Sequence, residues 1–185
     1  RVRALAPLAT ALAASPWQIG WSSVGRRALV LDPLFRGGDY YDAEPGNGPH
    51  SGLAIARAVA QIHYRSPGSF AERFGREVVN PRSLYGLWDQ YQVESYLDYQ
   101  GEKLVRRFDA NSYLVLNRAM DLHDVARDRG SINEAVYRLA RVPVLTLSIT
   151  SDYLYPPDLQ MQIFEAVEGI GGRCINQIVE NGNGH

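Results

Sequence analysis

The feature that most constrains this chain lies near its end. Residues 142–149 read VPVLTLSI, a short, almost continuous apolar and β-branched run. Such a run is expected of a strand buried on both faces. A loop closed by Pro156-Pro157 follows, and then Leu159, Ile163, Val167 and Ile170 recur at helical spacing until Gly171-Gly172. That predicts a helix over 158–169 and a helix stop after it. Residues 174–179 predict a second short strand. A strand–helix–strand unit of this kind brings its strands together in parallel, with a right-handed crossover. Val2, Ala4, Ala6 and Leu8 alternate as a further short strand over 2–9.

Between these ends the texture changes. Helices are predicted over 17–31, 53–64, 70–78, 90–108, 111–125 and 132–139, and the Gly-, Pro- and Asp-rich stretch 36–51 reads as a loop. The expected architecture is α/β: a core of parallel sheet from 1–15 and 140–185, with 16–139 inserted as a helical lid. The chain opens on Arg1 and closes on His185, and reads as an internal piece of a longer protein.

Charge removes several functions. Nineteen Lys and Arg stand against 20 Asp and Glu, a net charge of -1. A nucleic-acid binder shows a basic excess, and an electrostatic membrane anchor shows a basic cluster, so neither partner is expected. No apolar run approaches the roughly 18 residues a membrane span needs. The single cysteine, Cys174, excludes an internal disulfide and suits a reducing, cytoplasmic setting. No Cys, His, Asp or Glu grouping has metal spacing, so no metal is expected.

Loops that leave the carboxyl ends of parallel strands share one rim of the sheet, where open α/β proteins place their sites. One such loop carries Asp152 and the other ends on His185. A hydroxyl nucleophile needs a base, an imidazole serves, and a carboxylate behind it fixes the tautomer. Asp before His is the second half of the Ser…Asp…His order of α/β-hydrolases. The plain alternative is an Asp capping the next helix and a solvated loop His. No Gly-x-Ser-x-Gly occurs, and Ser15, Ser22 and Ser66 lack a strand–elbow–helix context.

Arg57 and Tyr64 stand seven residues apart on one predicted helix, two turns, so they face the same way. A guanidinium can grip a carboxylate and a phenol can add a directed polar contact; a surface Arg beside a core-edge Tyr fits the same spacing. His63 and His123 read as structural or solvated. Lys103, Arg106 and Arg107 read as a solvated helix face before phosphate ligands, and Tyr91, Tyr96 and Tyr99 as core or interface. Gly169-Ile170-Gly171-Gly172 is a helix stop, since a dinucleotide fingerprint would precede a helix.

Several stretches resemble the homoserine O-acetyltransferases. ESYLDYQGEKLVRRFDANSY over 94–113 is similar to a long signature of that family, as are AMDLHDV over 119–125 and SDYLYP over 151–156. The GGDYY loop over 37–41 and the helix carrying Ala56-Arg57 and Tyr64 also resemble it, in order and nearly end to end. The resemblance implies a partial α/β-hydrolase fold whose helical lid pairs two subunits of a homodimer. It implies a ping-pong Ser–His–Asp acyl transfer with acetyl-CoA as co-substrate, L-homoserine as acceptor, no bound cofactor, and a place in methionine biosynthesis. Asp152 and His185 take the acid and base positions of the triad, Arg57 and Tyr64 the substrate-binding positions, with Arg57 on the homoserine carboxylate. The nucleophile is expected upstream of Arg1, so the chain alone is expected to be inactive. Glu180-Asn181-Gly182-Asn183 departs from the Ser-Pro type of approach more usual before the histidine. A succinyl-CoA or L-serine enzyme of sister type, or a non-catalytic scaffold, is the competing expectation.

Overall fold

A computed structural model describes residues 2–44, 46–82 and 86–185; Pro45, inside the expected 36–51 loop, lies outside the described residues. The elements in order are α1 (Pro16–Val30), a 3-10 turn (Arg36–Gly38), α2 (His50–Tyr64), α3 (Pro67–Phe74), α4 (Gln92–Val105), α5 (Ala110–Asp121), α6 (Ile132–Val136), a second 3-10 turn (Tyr137–Leu139), β1 (Val144–Ile149), α7 (Pro157–Gly169) and β2 (Cys174–Val179). Among the described residues no helix is long and apolar enough to cross a membrane. The chain divides into two compact units. One comprises Arg1–Gln18, Tyr64–Ser66 and Met120–His185; the other comprises Ile19–His63 and Pro67–Ala119.

The first unit is built on the expected parallel pair. β1 and β2 run parallel from Val144↔Cys174 to Ile149↔Val179, and α7 packs on both. Leu12, Val136 and Ile163 form its apolar core, with Val125, Ala166 and Ile170 against them. Residues 120–139 were expected with the helical insertion, yet group by contact with the sheet, because Val125 and Val136 close over Leu12 and Ile163. β1 is buried on one face only, at Val144, Thr146 and Ser148, while Leu145, Leu147 and Ile149 are half-buried. The apolar run therefore marks a strand with one well-covered face, whereas two were expected.

The 2–9 stretch runs beside β1, but as two separate parallel bridges, Leu5↔Val144 and Leu8↔Leu147. Leu5 N–H donates to Pro143, Leu5 and Pro7 carbonyls accept from Leu145 and Leu147, and Ala9 N–H donates to Leu147. The donor that would continue the ladder between Leu5 and Ala9 belongs to Pro7, which has no N–H. Alternation of apolar residues predicts the strand, and the proline interrupts it.

The second unit is helical. Leu29, Phe35, Tyr40, Leu53, Leu104 and Ala110 make its core. The Asp32 carboxylate accepts from Gly52 N–H at 2.7 Å, inside the first turn of α2, where helix donors lack intrahelical partners. The GGDYY loop is pinned to the start of α5: Tyr40 OH donates to Asp109 at 2.6 Å, and Asn111 Nδ2 donates to the Gly38 carbonyl at 2.8 Å. Burial and the Asp109 carboxylate push the Tyr40 phenol well above its ordinary range. Two of the motif stretches read from sequence thus meet each other and hold a loop.

α2 is approached closely on two sides. A Cβ on Gly52 would lie 2.7 Å from the Ala28 carbonyl oxygen and Leu29 Cα, and one on Gly101 would lie 2.9 Å from Ala54 Cβ and 3.0 Å from its carbonyl oxygen. In an open helix, Gly to Ala gains up to about 1 kcal/mol. Here the added methyl meets backbone, so Gly52→Ala is expected to destabilise by about 1–3 kcal/mol. Denaturant midpoints of the two proteins test this; an unchanged or raised midpoint would mean the helices separate freely.

Candidate active site

The Asp152 turn follows directly from the end of β1. Asp152 N–H donates to the Ile149 carbonyl at 3.1 Å, which folds the chain back at the strand end. The residue is 2% exposed. Its Oδ1 accepts from the backbone N–H groups of Leu154 at 2.8 Å and Tyr155 at 2.7 Å. Its Oδ2 lies 2.7 Å from His185 Nδ1. One oxygen of Asp152 thus closes the Leu154–Tyr155 turn and the other meets His185; the next helix, α7, starts behind Pro156 and is not capped by Asp152.

Burial alone would raise the Asp152 carboxyl. The hydrogen bond from His185, the Tyr155 N–H, the charge of a protonated His185 and the Leu154 N–H outweigh it and hold the carboxyl below its ordinary range. An ionised carboxylate only accepts, so the proton in this bond sits on Nδ1. The lone pair of the neutral ring is then on Nε2, the arrangement a general base needs.

His185 is delivered by the loop after β2. Its backbone N–H donates to the Tyr64 carbonyl at 2.9 Å. Gly184 has φ +95°, and a Cβ there would lie 2.6 Å from the Tyr64 carbonyl oxygen, so the last step before the histidine demands glycine on two counts. Ser151 Oγ accepts from Gly184 N–H at 2.9 Å and donates to the Asn181 carbonyl at 2.5 Å. Asn181 N–H donates to Thr150 Oγ1 at 3.2 Å, and Ser66 Oγ donates to the Gly182 carbonyl. The unusual Glu180–Asn183 approach is therefore a loop fixed by hydroxyls on the facing segments. The imidazole lies between two phenol rings, with centroids 5.3 Å away at Tyr155 and 5.8 Å at Tyr64. Burial, with the nearby Tyr64 phenol and Asp152 carboxylate, pushes the Tyr155 phenol up.

This constellation can be set beside known proteins. No protein-family model matches the chain. The homoserine O-acetyltransferase of Moorella thermoacetica is 44% identical over 98% of this chain and 48% of its own length. That of Symbiobacterium thermophilum is 47% identical over 94% of this chain and 45% of its own. The chain belongs to the homoserine O-acetyltransferase family. It spans about half the length of the curated relatives it matches. Among solved structures, the homoserine O-acetyltransferase from Bacillus anthracis superposes on the whole chain and 48% of its own with a TM-score of 0.88 at 20% identity, and esterase E22 on the whole chain and 50% of its own with 0.86 at 18%. These likenesses show the α/β-hydrolase fold.

The other candidates read from sequence fall as follows. Tyr64, expected to bind substrate, lies against the His185 ring. Arg57 is half-buried on α2 two turns before Tyr64, and its guanidinium meets Gln61. His63 lies against Trp21, with ring centroids 5.3 Å apart, and His123 Nε2 lies 3.0 Å from the Ala11 carbonyl, both structural settings. Arg106 pairs with Glu102 on an exposed face. Ser66 is buried and donates to Gly182, which gives it a structural task. Among the described residues no three His, Cys, Asp or Glu side chains group as a metal site would require. Sequence reasoning missed Ser151, Tyr155 and Gly184 as positioning residues; Ser151 and Gly184 are chain neighbours of Asp152 and His185, and Tyr155 lies three residues after Asp152 in the SDYLYP stretch.

The depressed Asp152 carboxyl fixes the sign of a pH effect. A carboxylate whose folded value lies below its unfolded one, about 3.9, contributes stability above that unfolded value and loses it as pH falls through the folded value. Unfolding free energy measured from pH 7 down to pH 2 should therefore fall below about pH 4, and more steeply than in Asp152→Asn. Parallel acid limbs in the two proteins would mean that Asp152 gains nothing from its partners.

Proposed function

We propose that this chain supplies the base and its carboxylate for an acyltransferase that moves an acetyl group from acetyl-CoA to the hydroxyl of L-homoserine. The observation that carries the reading is the 2.7 Å contact between His185 Nδ1 and a buried, triply hydrogen-bonded Asp152. The 42–47% identity to curated homoserine O-acetyltransferases supports the choice of substrates.

In this reading a serine attacks the thioester carbonyl while His185 Nε2 takes its proton, and the proton leaves on the CoA thiol. The homoserine hydroxyl then attacks the acetyl-serine, His185 takes that proton, and returns it to the serine as the ester departs. Asp152 keeps the ring in the required tautomer and stabilises the imidazolium. Arg57 holds the homoserine carboxylate, and Tyr64 lines the acceptor beside the imidazole. The serine and the oxyanion-hole donors are not assigned within residues 1–185. The reaction serves methionine biosynthesis in the cytoplasm, in a homodimer joined through the helical insertion; Val115 and Leu116, exposed on α5, supply apolar surface for such pairing.

The test uses the protein as encoded, with any residues that precede Arg1 or follow His185 included. Homoserine with acetyl-CoA is expected to release thiol faster than homoserine with succinyl-CoA or serine with acetyl-CoA. A faster succinyl or serine reaction would assign a sister transferase, and no release from any pair would leave a non-catalytic scaffold. Asp152→Asn is expected to lower turnover on the order of 10⁴-fold with the fold intact; near-normal turnover would remove Asp152 from the mechanism. Sedimentation at the monomer mass would remove the dimer.

A further inference from the structure

Gln61 is 6% exposed and lies one helical turn after Arg57 on α2. Its amide is satisfied in one orientation only. With the oxygen toward Arg57, it accepts from Nη2 at 2.8 Å and from Nε at 3.3 Å, while its NH2 donates to the Tyr96 hydroxyl at 2.7 Å. The reverse orientation sets an NH2 group against a guanidinium, donor against donor. One oxygen that accepts from both Nε and Nη2 fixes the plane of the guanidinium as well as its position.

The grip is itself held from behind. The Tyr96 ring, on α4, stands 5.1 Å from Phe74 and 6.4 Å from Phe70 of α3, the latter edge-on. The Arg73 guanidinium carbon lies 4.6 Å from the centroid of the Tyr96 ring, a cation–π contact on the same phenol. A relay of packed groups therefore runs from the aromatic side chains of α3 through Tyr96 and Gln61 to Arg57. Buried polar side chains are retained only when satisfied, and this one is satisfied by a cation on one side and a phenol on the other.

We propose that Gln61, anchored by Tyr96, is the positioning residue that sets the direction of the Arg57 guanidinium, and through it the affinity for the acceptor's carboxylate. The inference rests on the reading above that Arg57 binds that carboxylate. A long, flexible arginine left to itself samples many rotamers, and ordering it on binding weakens the complex. A guanidinium already held in one plane avoids that cost and presents its donors in a fixed direction. With Gln61 acting only through Arg57, its effect should fall on acceptor binding alone.

The experiment measures both half-reactions in the protein as encoded. Gln61→Leu is expected to raise KM for homoserine roughly tenfold and to leave thiol release in the first half-reaction within about twofold of wild type. Tyr96→Phe, which removes only the anchor, should give the same split with a smaller rise. It also serves as the test if Gln61→Leu does not fold. In an Arg57→Ala background, Gln61→Leu should change KM little, because its target is gone. An equal rise with and without Arg57, or equal losses in both half-reactions, would overturn the proposal and make Gln61 a packing residue. Should Arg57→Ala itself leave acceptor KM unchanged, the carboxylate reading fails, and this inference with it. Should Arg57→Ala raise KM while Gln61→Leu and Tyr96→Phe do not, only the inference fails.

Discussion

The site depends on one charge kept dry. Asp152 is almost completely buried, and an isolated carboxylate in such a place would cost several kcal/mol. Three donors offset that cost: two backbone N–H groups on one oxygen and the imidazole on the other. The backbone pair makes the charge tolerable whether or not the ring is present, and it also immobilises the carboxylate. The second oxygen is then left with a single direction in which to accept. Imidazole tautomer and orientation follow from a turn that begins three residues after the end of β1.

Register then decides whether the two halves of the pair can meet. β1 and β2 end level, Ile149 opposite Val179, so their outgoing loops start side by side. The loops are joined across by Thr150 and Ser151 on one strand's exit and Asn181 on the other's. Inside the ladder, Thr146 Oγ1 donates to Asn176 Oδ1 at 2.7 Å, a cross-strand pair specific to this alignment. A shift of one residue would turn each strand's side chains to the opposite face and would separate the hydroxyls from Asn181. The histidine is placed by the sheet, through backbone and hydroxyl contacts, before its ring makes any bond of its own.

Much of this was legible in sequence where a local rule governs. The strand–helix–strand pattern predicts the parallel pair and its shared rim, and with them the meeting of Asp152 and His185 there. What was hidden came from groups without periodicity. Pro7 removes one ladder donor from a stretch whose apolar alternation still reads as strand. The value of Ser151 and Gly184 lies in contacts across the rim, at sequence distances no window covers. Val125 and Val136 join the sheet unit through side chains that suit a lid equally well. Tyr155 was within view, but nothing in its spacing says that its ring would face an imidazole.

Helical spacing puts Arg57 and Tyr64 on one stripe of α2 and says nothing of what each side chain meets. Residues 57, 61 and 64 follow the i, i+4, i+7 pattern of one helix stripe, and along that stripe each side chain has a different neighbour. Gln61 meets Arg57 within one turn, where side chains reach each other, and Tyr64 meets His185 at the helix end. Rotation or sliding of α2 would displace the Arg57 guanidinium and its Gln61 partner together. Contacts through long side chains would permit such movement. Gly52 and Gly101 instead bring backbone of α1 and α4 against α2, where no rotamer change can absorb a shift. The bare glycines are therefore part of what holds the polar residues of α2 in line.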